Sequence, residues 1–383
     1  MYTVFKNGFV YDNDRMEFSK NDIVVKDGVI DYVGFCEVTD GMDVVDCEGK
    51  YIIPGLIDVH THGRAGFDFN TATSDNIKTM RKEYAKVGTT TIMATLASAT
   101  MESLFESADA INENRSADAG LAHIAGIHLE GRYLNNIRRG AHNVDLLALP
   151  DLRELAMLME RMSPLPIHIS AAYELDGGEI FLKVAKTLGA TCGLAHSDAT
   201  YDTSVKLVEA GVTSFTHTFN AMKPLHHREP GNAAASLLCD GAYSEFICDG
   251  EHINPAMIDL AARCKPADKL VLITDSMEAT GCPDGVYSIA GLPVYVKNGR
   301  AENSEGALAG STLDLFRGIR NFMRFAGKTF EEAIPCATSN PAKMVGIDKV
   351  CGSLKSGLRA DMIIINDKND PAPDSVWISG EKI

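Results

Sequence analysis

The stretch GLIDVHTH, residues 55–62, decides how the rest of the chain is read. An apolar run ends in two histidines, His60 and His62, one residue apart. Side chains alternate faces along a strand, so both imidazoles project to one side and Thr61 to the other. Two imidazoles aimed at one spot suggest a metal ion, provided other parts of the chain supply more ligands there. Seven further short apolar runs follow: TTTIMATLA (89–97), HIAGIHLEG (123–131), LPIHISAAYE (165–174), CGLAHS (192–197), TSFTHTFNAM (213–222), EFICDGEH (245–252) and KLVLITDS (269–276). Most are separated by segments of helical periodicity. NIKTMRKEYAKVG (76–88) and FLKVAKTLGA (181–190) each run into a glycine, a helix stop. Near-continuous apolar strands alternating with helices indicate a parallel sheet covered on both faces. Eight such units predict an α/β fold built as a (β/α)8 TIM-like barrel; the alternative is an open, doubly wound sheet. There is no repeat of solenoid period and no low-complexity tract.

The two ends of the chain have a different texture. YTVFKNGFVY (2–11), DIVVKDGVIDYVG (22–34) and DVVDCEGKYII (43–53) are short strands, with turns expected at Asn7-Gly8, Asp27-Gly28 and Glu48-Gly49. GSLKSGLRADMIIIND (352–367) and SVWISGEKI (375–383) match that texture. A second, smaller β-sandwich domain is therefore expected from both termini, 1–53 and 351–383, with the barrel over 54–350.

Composition narrows the partners. The 383 residues carry a net charge of −16, which disfavours nucleic acid and anionic membranes. A phosphorylated small molecule needs only a local basic pocket. Nine cysteines are scattered without a CxxC pair, as expected of free thiols in a reducing compartment. The opening residues lack a basic segment followed by an apolar one, and no apolar run approaches the ~18 residues of a membrane span. The expectation is a cytoplasmic protein.

Chemistry in a barrel sits at the C-terminal ends of the strands. There the sequence places His60 and His62 after the first strand, Glu130 after the third, His196 after the fifth, His217 after the sixth and Asp275 after the eighth. One histidine at a strand end is more often structural than a ligand. Six such groups at one end of the barrel are not an accidental scatter, and they suit one or two divalent ions such as zinc or iron, with Glu130 shared. His123, His128 and His168 fall earlier in their strands and read as core or wall residues. Asp275 has a second role available: a carboxylate beside an ion that lowers the pKa of water towards about 7 can accept a proton and later return it to a leaving group.

This ordered set resembles the amidohydrolase superfamily. HLEG (128–131), GAH (140–142), AHSDAT (195–200), THTFNAM (216–222), REPG (228–231), DGEH (249–252), ITDSMEATGCPDGVY (273–287), LAGSTL (308–313) and NPAKMVGIDKVCGSLKSGLRADMIII (340–365) are similar, within it, to the N-acetylglucosamine-6-phosphate deacetylase family. The resemblance implies hydrolysis of the acetamide of a phosphorylated amino sugar, with Asp275 as base and then acid. It implies a principal metal site of Glu130, His196 and His217, and a second completed by His60 and His62. His142, His252 and Leu308 are implied at the sugar, and Asn220 and the backbone of Ala221 at the phosphate. A homodimer is implied too, in which Arg228 reaches the phosphate of the neighbouring subunit; the guanidinium fork suits that task. One departure stands out. Where the family usually has proline after HLEG, this chain has Arg132, in GRYLNNIRRGAH (131–142), and Arg132 is expected either to add charge near the substrate or to point into solvent. Competing readings are deacetylation of another N-acyl hexosamine phosphate such as the galactosamine epimer, a cyclic-amide hydrolase, and a non-catalytic sugar-phosphate-binding protein. Glu130 in place of a modified lysine argues against the second, and the intact ligand set with Asp275 against the third.

Overall fold

The computed structural model describes residues 2–116, 118 and 120–383. Its centre is a parallel barrel of Leu56–Thr61, Thr89–Leu96, His123–Glu130, Ile167–Ala171, Thr191–Leu194, Ser214–Phe215, Tyr243–Ile247 and Leu270–Ile273. Each strand pairs with the next in chain order. The ends meet just beyond the last strand: Asp275 N donates to His60 O at 2.9 Å and His62 N to Ser276 O at 2.8 Å. Those bonds make it a nearly closed barrel and exclude the open sheet. All eight apolar runs contribute one strand each, the sixth only two residues long.

Helices between the strands form where apolar residues recur at helical spacing. Helix Ser74–Lys86 buries Ile77, Met80, Tyr84 and Ala85. Thr73 caps it, its hydroxyl accepting from Asn76 N while the Asn76 side chain accepts from Thr73 N. On the first strand, Ile57 and Val59 join a buried apolar cluster with Val271, Ile273, Ala342 and Met344. A bulge between Asp58 and Thr61 interrupts the alternation: Asp58 accepts from Thr274 N and Oγ1 at 3.3 and 2.5 Å, and His60 and His62 turn to the barrel mouth. Beneath the rim the barrel interior is polar and hydrogen-bonded. His128 meets Thr95 Oγ1 at 3.2 Å and Ser170 Oγ at 2.8 Å, and His168 meets Thr191 Oγ1 at 2.9 Å. These histidines are fully buried wall residues, with the His128 ring 4.5 Å from that of His60.

Both termini build one eight-stranded mixed sheet from Tyr2–Asp12, Glu17–Lys26, Val29–Gly34, Met42–Asp46, Tyr51–Pro54, Met362–Ile365, Ser375–Ile378 and Glu381–Lys382. It encloses its own core of Phe5, Ile23, Val25, Ile30, Ile52, Met362 and Ile364. Asp27-Gly28 makes the expected two-residue hairpin, both residues at positive φ. Asn7-Gly8 does not turn the chain: it is a bulge within Tyr2–Asp12. Buried Asp22 explains the difference. Its carboxylate accepts from Asn7 N at 2.9 Å and Lys6 Nζ at 2.7 Å, which keeps the strand running past the bulge. The real turn lies at residues 13–16.

After the eighth strand a three-stranded sheet, Gly285–Ile289, Leu292–Lys297 and Arg300–Glu302, folds over the barrel mouth. Ala290 N at its tip donates to Asp68 Oδ2 at 3.2 Å. Among the described residues, no helix is long and apolar enough to cross a membrane.

Candidate metal centre and active site

The six residues at the strand ends converge on one point. Glu130 Oε2 lies 3.0 Å from His62 Nε2 and 3.3 Å from His60 Nε2, while Glu130 Oε1 lies 2.9 Å from His217 Nε2 and 3.3 Å from His196 Nε2. The carboxylate thus divides its oxygens between two histidine pairs, as a bridging ligand does. Asp275 Oδ1 stands beside the first pair, 3.3 Å from His62 Nε2 and 3.5 Å from His60 Nε2. All six are buried. His196, His217 and Asp275 sit at positive φ, 45°, 32° and 49°. Histidine and aspartate tolerate that region better than most residues, and such strain clusters where geometry serves a site.

Do these groups fit a cation? The buried Nε2 of His60, Nδ1 of His62 and Nδ1 of His217 have no hydrogen-bond partner, a costly state for a protein interior. Nε2 of His196 and of His217 lie 3.1 Å apart. The far side of two rings is fixed: His60 Nδ1 faces Glu245 Oε2 at 3.4 Å and His196 Nδ1 faces the Arg138 carbonyl at 2.8 Å. Both partners only accept, so each Nδ1 carries the proton, and in the neutral ring the Nε2 lone pair points into the cluster. Imidazole lone pairs and carboxylates around a shared centre are the donor set of a borderline divalent ion. Glu245, which composition and spacing did not single out, also accepts from Ser214 Oγ at 3.1 Å. Outer carboxylates of this kind orient ligands, so Glu245→Gln is expected to weaken metal affinity about 10- to 100-fold, measured by equilibrium dialysis against a chelator.

Charge in the cluster follows its burial. Burial would push Glu130 up, but His60 and the bonds from His196 and His217 hold it well below its ordinary value. Burial likewise opposes the shift at Asp275, yet His60 and His62 lower it to about 2. It is therefore a carboxylate at neutral pH, the form that accepts a proton. Burial would lower His62; its bonds to Asp275 and Glu130 raise it instead, to about 9. The same negative field that holds protons here favours a divalent cation in their place.

A cavity opens above the cluster, lined by His62, Glu130, His142, His196, His217, Asn220, Ala221, His252, Asp275 and Leu308 together with Ser98. The lid sheet adds Ile289, Ala290 and Leu292. His252 is steadied by Asp249, whose Oδ2 lies 2.6 Å from Nδ1. Asn220 Nδ2 donates to His217 O at 3.2 Å, and Phe219 and Ala221 hold positive φ of 78° and 50°. Arg228 lies elsewhere. It is exposed, borders a separate cavity with Tyr201, Lys223 and Glu229, and contacts His227 Nε2 at 2.9 Å. Both expectations for Arg132 are corrected. It neither enters this cavity nor points into solvent, because Nε and Nη2 make a two-pronged bond to Glu154 at 3.1 and 2.9 Å and Nη1 donates to Ala99 O. A carboxylate within fork reach outcompetes both.

Barrel and cluster together define a protein built to hold divalent metal at the C-terminal mouth of a (β/α)8 fold. The chain belongs to the amidohydrolase family, whose family model matches residues 51–383. It is 34% identical over 332 residues to the N-acetylglucosamine-6-phosphate deacetylase of Vibrio furnissii, covering 87% of this chain and 82% of that protein. It is 32% identical over 357 residues to the N-acetylgalactosamine-6-phosphate deacetylase of Escherichia coli O157:H7, covering 93% of each. In structure it matches the N-acetyl-D-glucosamine-6-phosphate deacetylase of Mycobacterium smegmatis, in a mutant complexed with N-acetyl-D-glucosamine-6-phosphate, at a TM-score of 0.90 and 29% identity over 100% of this chain and 98% of that one.

Proposed function

We propose that this chain is a metal-dependent deacetylase that hydrolyses N-acetyl-D-glucosamine 6-phosphate to D-glucosamine 6-phosphate and acetate, in the cytoplasm. The observation that carries the reading is Glu130 shared between two histidine pairs, with the Asp275 carboxylate at the cavity floor. His60, His62, Glu130, His196 and His217 would hold one or two ions, zinc or iron. The bound metal would supply a Lewis acid for the acetyl carbonyl and for the attacking water.

The chain's own residues do the rest. Asp275 accepts a proton as water oxygen bonds to the acetyl carbon. It returns that proton to the amine nitrogen as the C–N bond breaks, so a neutral amine and acetic acid leave, and the acid ionises to acetate by losing its remaining proton to solvent. His252, held by Asp249, and Leu308 border the sugar. The Ala221 N–H, which has no acceptor among the described residues, and Asn220 meet the phosphate. Arg228, outside its own subunit's cavity, serves the neighbouring one in a homodimer. Arg228→Ala is then expected to raise KM for the phosphorylated sugar about 10- to 100-fold, the loss of a charge-assisted pair, and to leave the unphosphorylated sugar unaffected. An equal rise for both removes Arg228 from phosphate binding.

The galactosamine epimer is a second reading, favoured by the Escherichia coli relative that matches 93% of each chain. Amine release from N-acetylglucosamine 6-phosphate, its galacto epimer and both unphosphorylated sugars, with metal content measured on the same sample, tests the proposal. Absence of turnover on all four by metal-loaded protein overturns it.

A further inference from the structure

We propose that Ser98 is a positioning residue that fixes the tautomer of His142, making that histidine a hydrogen-bond donor into the cavity and not a metal ligand. Geometry alone would enlist it otherwise: ligand atoms of Glu130, His142 and His196 lie within 4.8 Å of one another. The hydrogen bonds decide against that. Ser98 Oγ accepts from the Arg132 N–H at 3.1 Å and lies 2.9 Å from His142 Nδ1. No other described group bonds to that hydroxyl. A serine has one proton to give and two lone pairs. With one lone pair engaged by Arg132, the buried O–H has His142 Nδ1 as its acceptor; turned round, it would be left unpaired, a state interiors avoid.

Nδ1 of His142 therefore accepts, and Nε2 carries the proton. That orientation also suits the next neighbour. Glu130 Oε2 is 4.0 Å from His142 Nε2, and a carboxylate favours an N–H towards it over a lone pair. The contrast with His60 and His196 is complete: their Nδ1 atoms face acceptors, which leaves their Nε2 lone pairs for the cluster. Three imidazoles at one rim thus have their chemistry set by what stands behind each ring.

Backbone shape makes the contact possible. Gly131 adopts φ +147°, and a Cβ there would sit 2.4 Å from both Ser98 N and Ser98 Oγ. Only glycine lets the two loops approach this closely. Arg132, clamped to Glu154 and Ala99 O, steadies the N–H that occupies Ser98. The residue that departs from the expected proline supplies the donor a proline would lack.

The inference rests on the deacetylase reading for the use of that N–H, which is to stabilise the oxygen of the acetyl group as charge develops there. The tautomer itself does not depend on any activity. In zinc-loaded protein labelled with ¹⁵N at histidine, the His142 signals, assigned by their loss in His142→Gln, are expected to show an unprotonated Nδ1 and a protonated Nε2. Ser98→Ala is expected to shift that balance, to lower kcat about 10- to 100-fold, somewhat less than the 10²–10³ lost with an outright donor, and to leave metal content and KM within twofold. A protonated Nδ1 on His142 in the unaltered protein overturns the proposal, as does a Ser98→Ala variant with unchanged His142 signals. Inactivity of the unaltered protein, with the expected tautomer present, would refute only the assigned reaction.

Discussion

Asp275→Asn is expected to lower kcat by about 10²- to 10⁴-fold, the range for removal of a general acid–base group, with metal content unchanged. The amide keeps the volume and one oxygen of the carboxylate but does not accept a proton at working pH. His60, His62 and Glu130 remain to hold an ion on that side, because Glu130 Oε2 faces both rings at 3.3 and 3.0 Å without help from Asp275. The backbone needs no repair either. Asp275 N bonds to His60 O and Asp275 O accepts from Ser311 N at 2.7 Å, and neither bond involves the side chain. Metal analysis and steady-state kinetics on one preparation check the result. A variant within tenfold of the unaltered kcat would falsify the assignment of Asp275 as base.

Glu130→Ala carries the larger structural consequence. It is expected to abolish metal retention through dialysis, and turnover with it. One carboxylate stands within 3.3 Å of four imidazoles, so its loss strips a ligand from both halves of the centre at once. Four rings facing one another, with His196 and His217 only 3.1 Å apart at Nε2, keep only the Asp275 carboxylate beside the first pair, too little negative charge to draw and hold a divalent ion. Glu130→Gln is the control for shape: it fills the same space and is expected to lose metal as well. Native-like circular dichroism with full metal content in either variant would remove Glu130 from the ligand set.

Much of this was legible before any coordinates. The eight apolar runs announced a barrel because a parallel strand is buried on both faces and has to be apolar along its length. The candidate ligands were legible because barrel chemistry lies at strand ends, and His60, His62, Glu130, His196, His217 and Asp275 each close such a run. Local turn chemistry was less secure. Asn7-Gly8 has the composition of a hairpin, yet Asp22, a residue distant in sequence, supplies the bond that keeps the strand going. Glu245 was invisible for a related reason: a carboxylate inside a strand says nothing of its partner until the barrel brings His60 across to it.

The sequence by itself determined the period of the elements, the order of the strands and the kinds of side chain at the rim, because each is a property of neighbours along the chain. Tertiary structure alone decided which oxygen of Glu130 serves which histidine pair, which nitrogen of each imidazole is committed to a partner behind it, and that Arg132 pairs with Glu154 and stays out of the cavity. Those outcomes depend on distances between segments tens to hundreds of residues apart, where a shift of an ångström separates a hydrogen bond from none. No local pattern encodes such distances; the closure and packing of the whole barrel do.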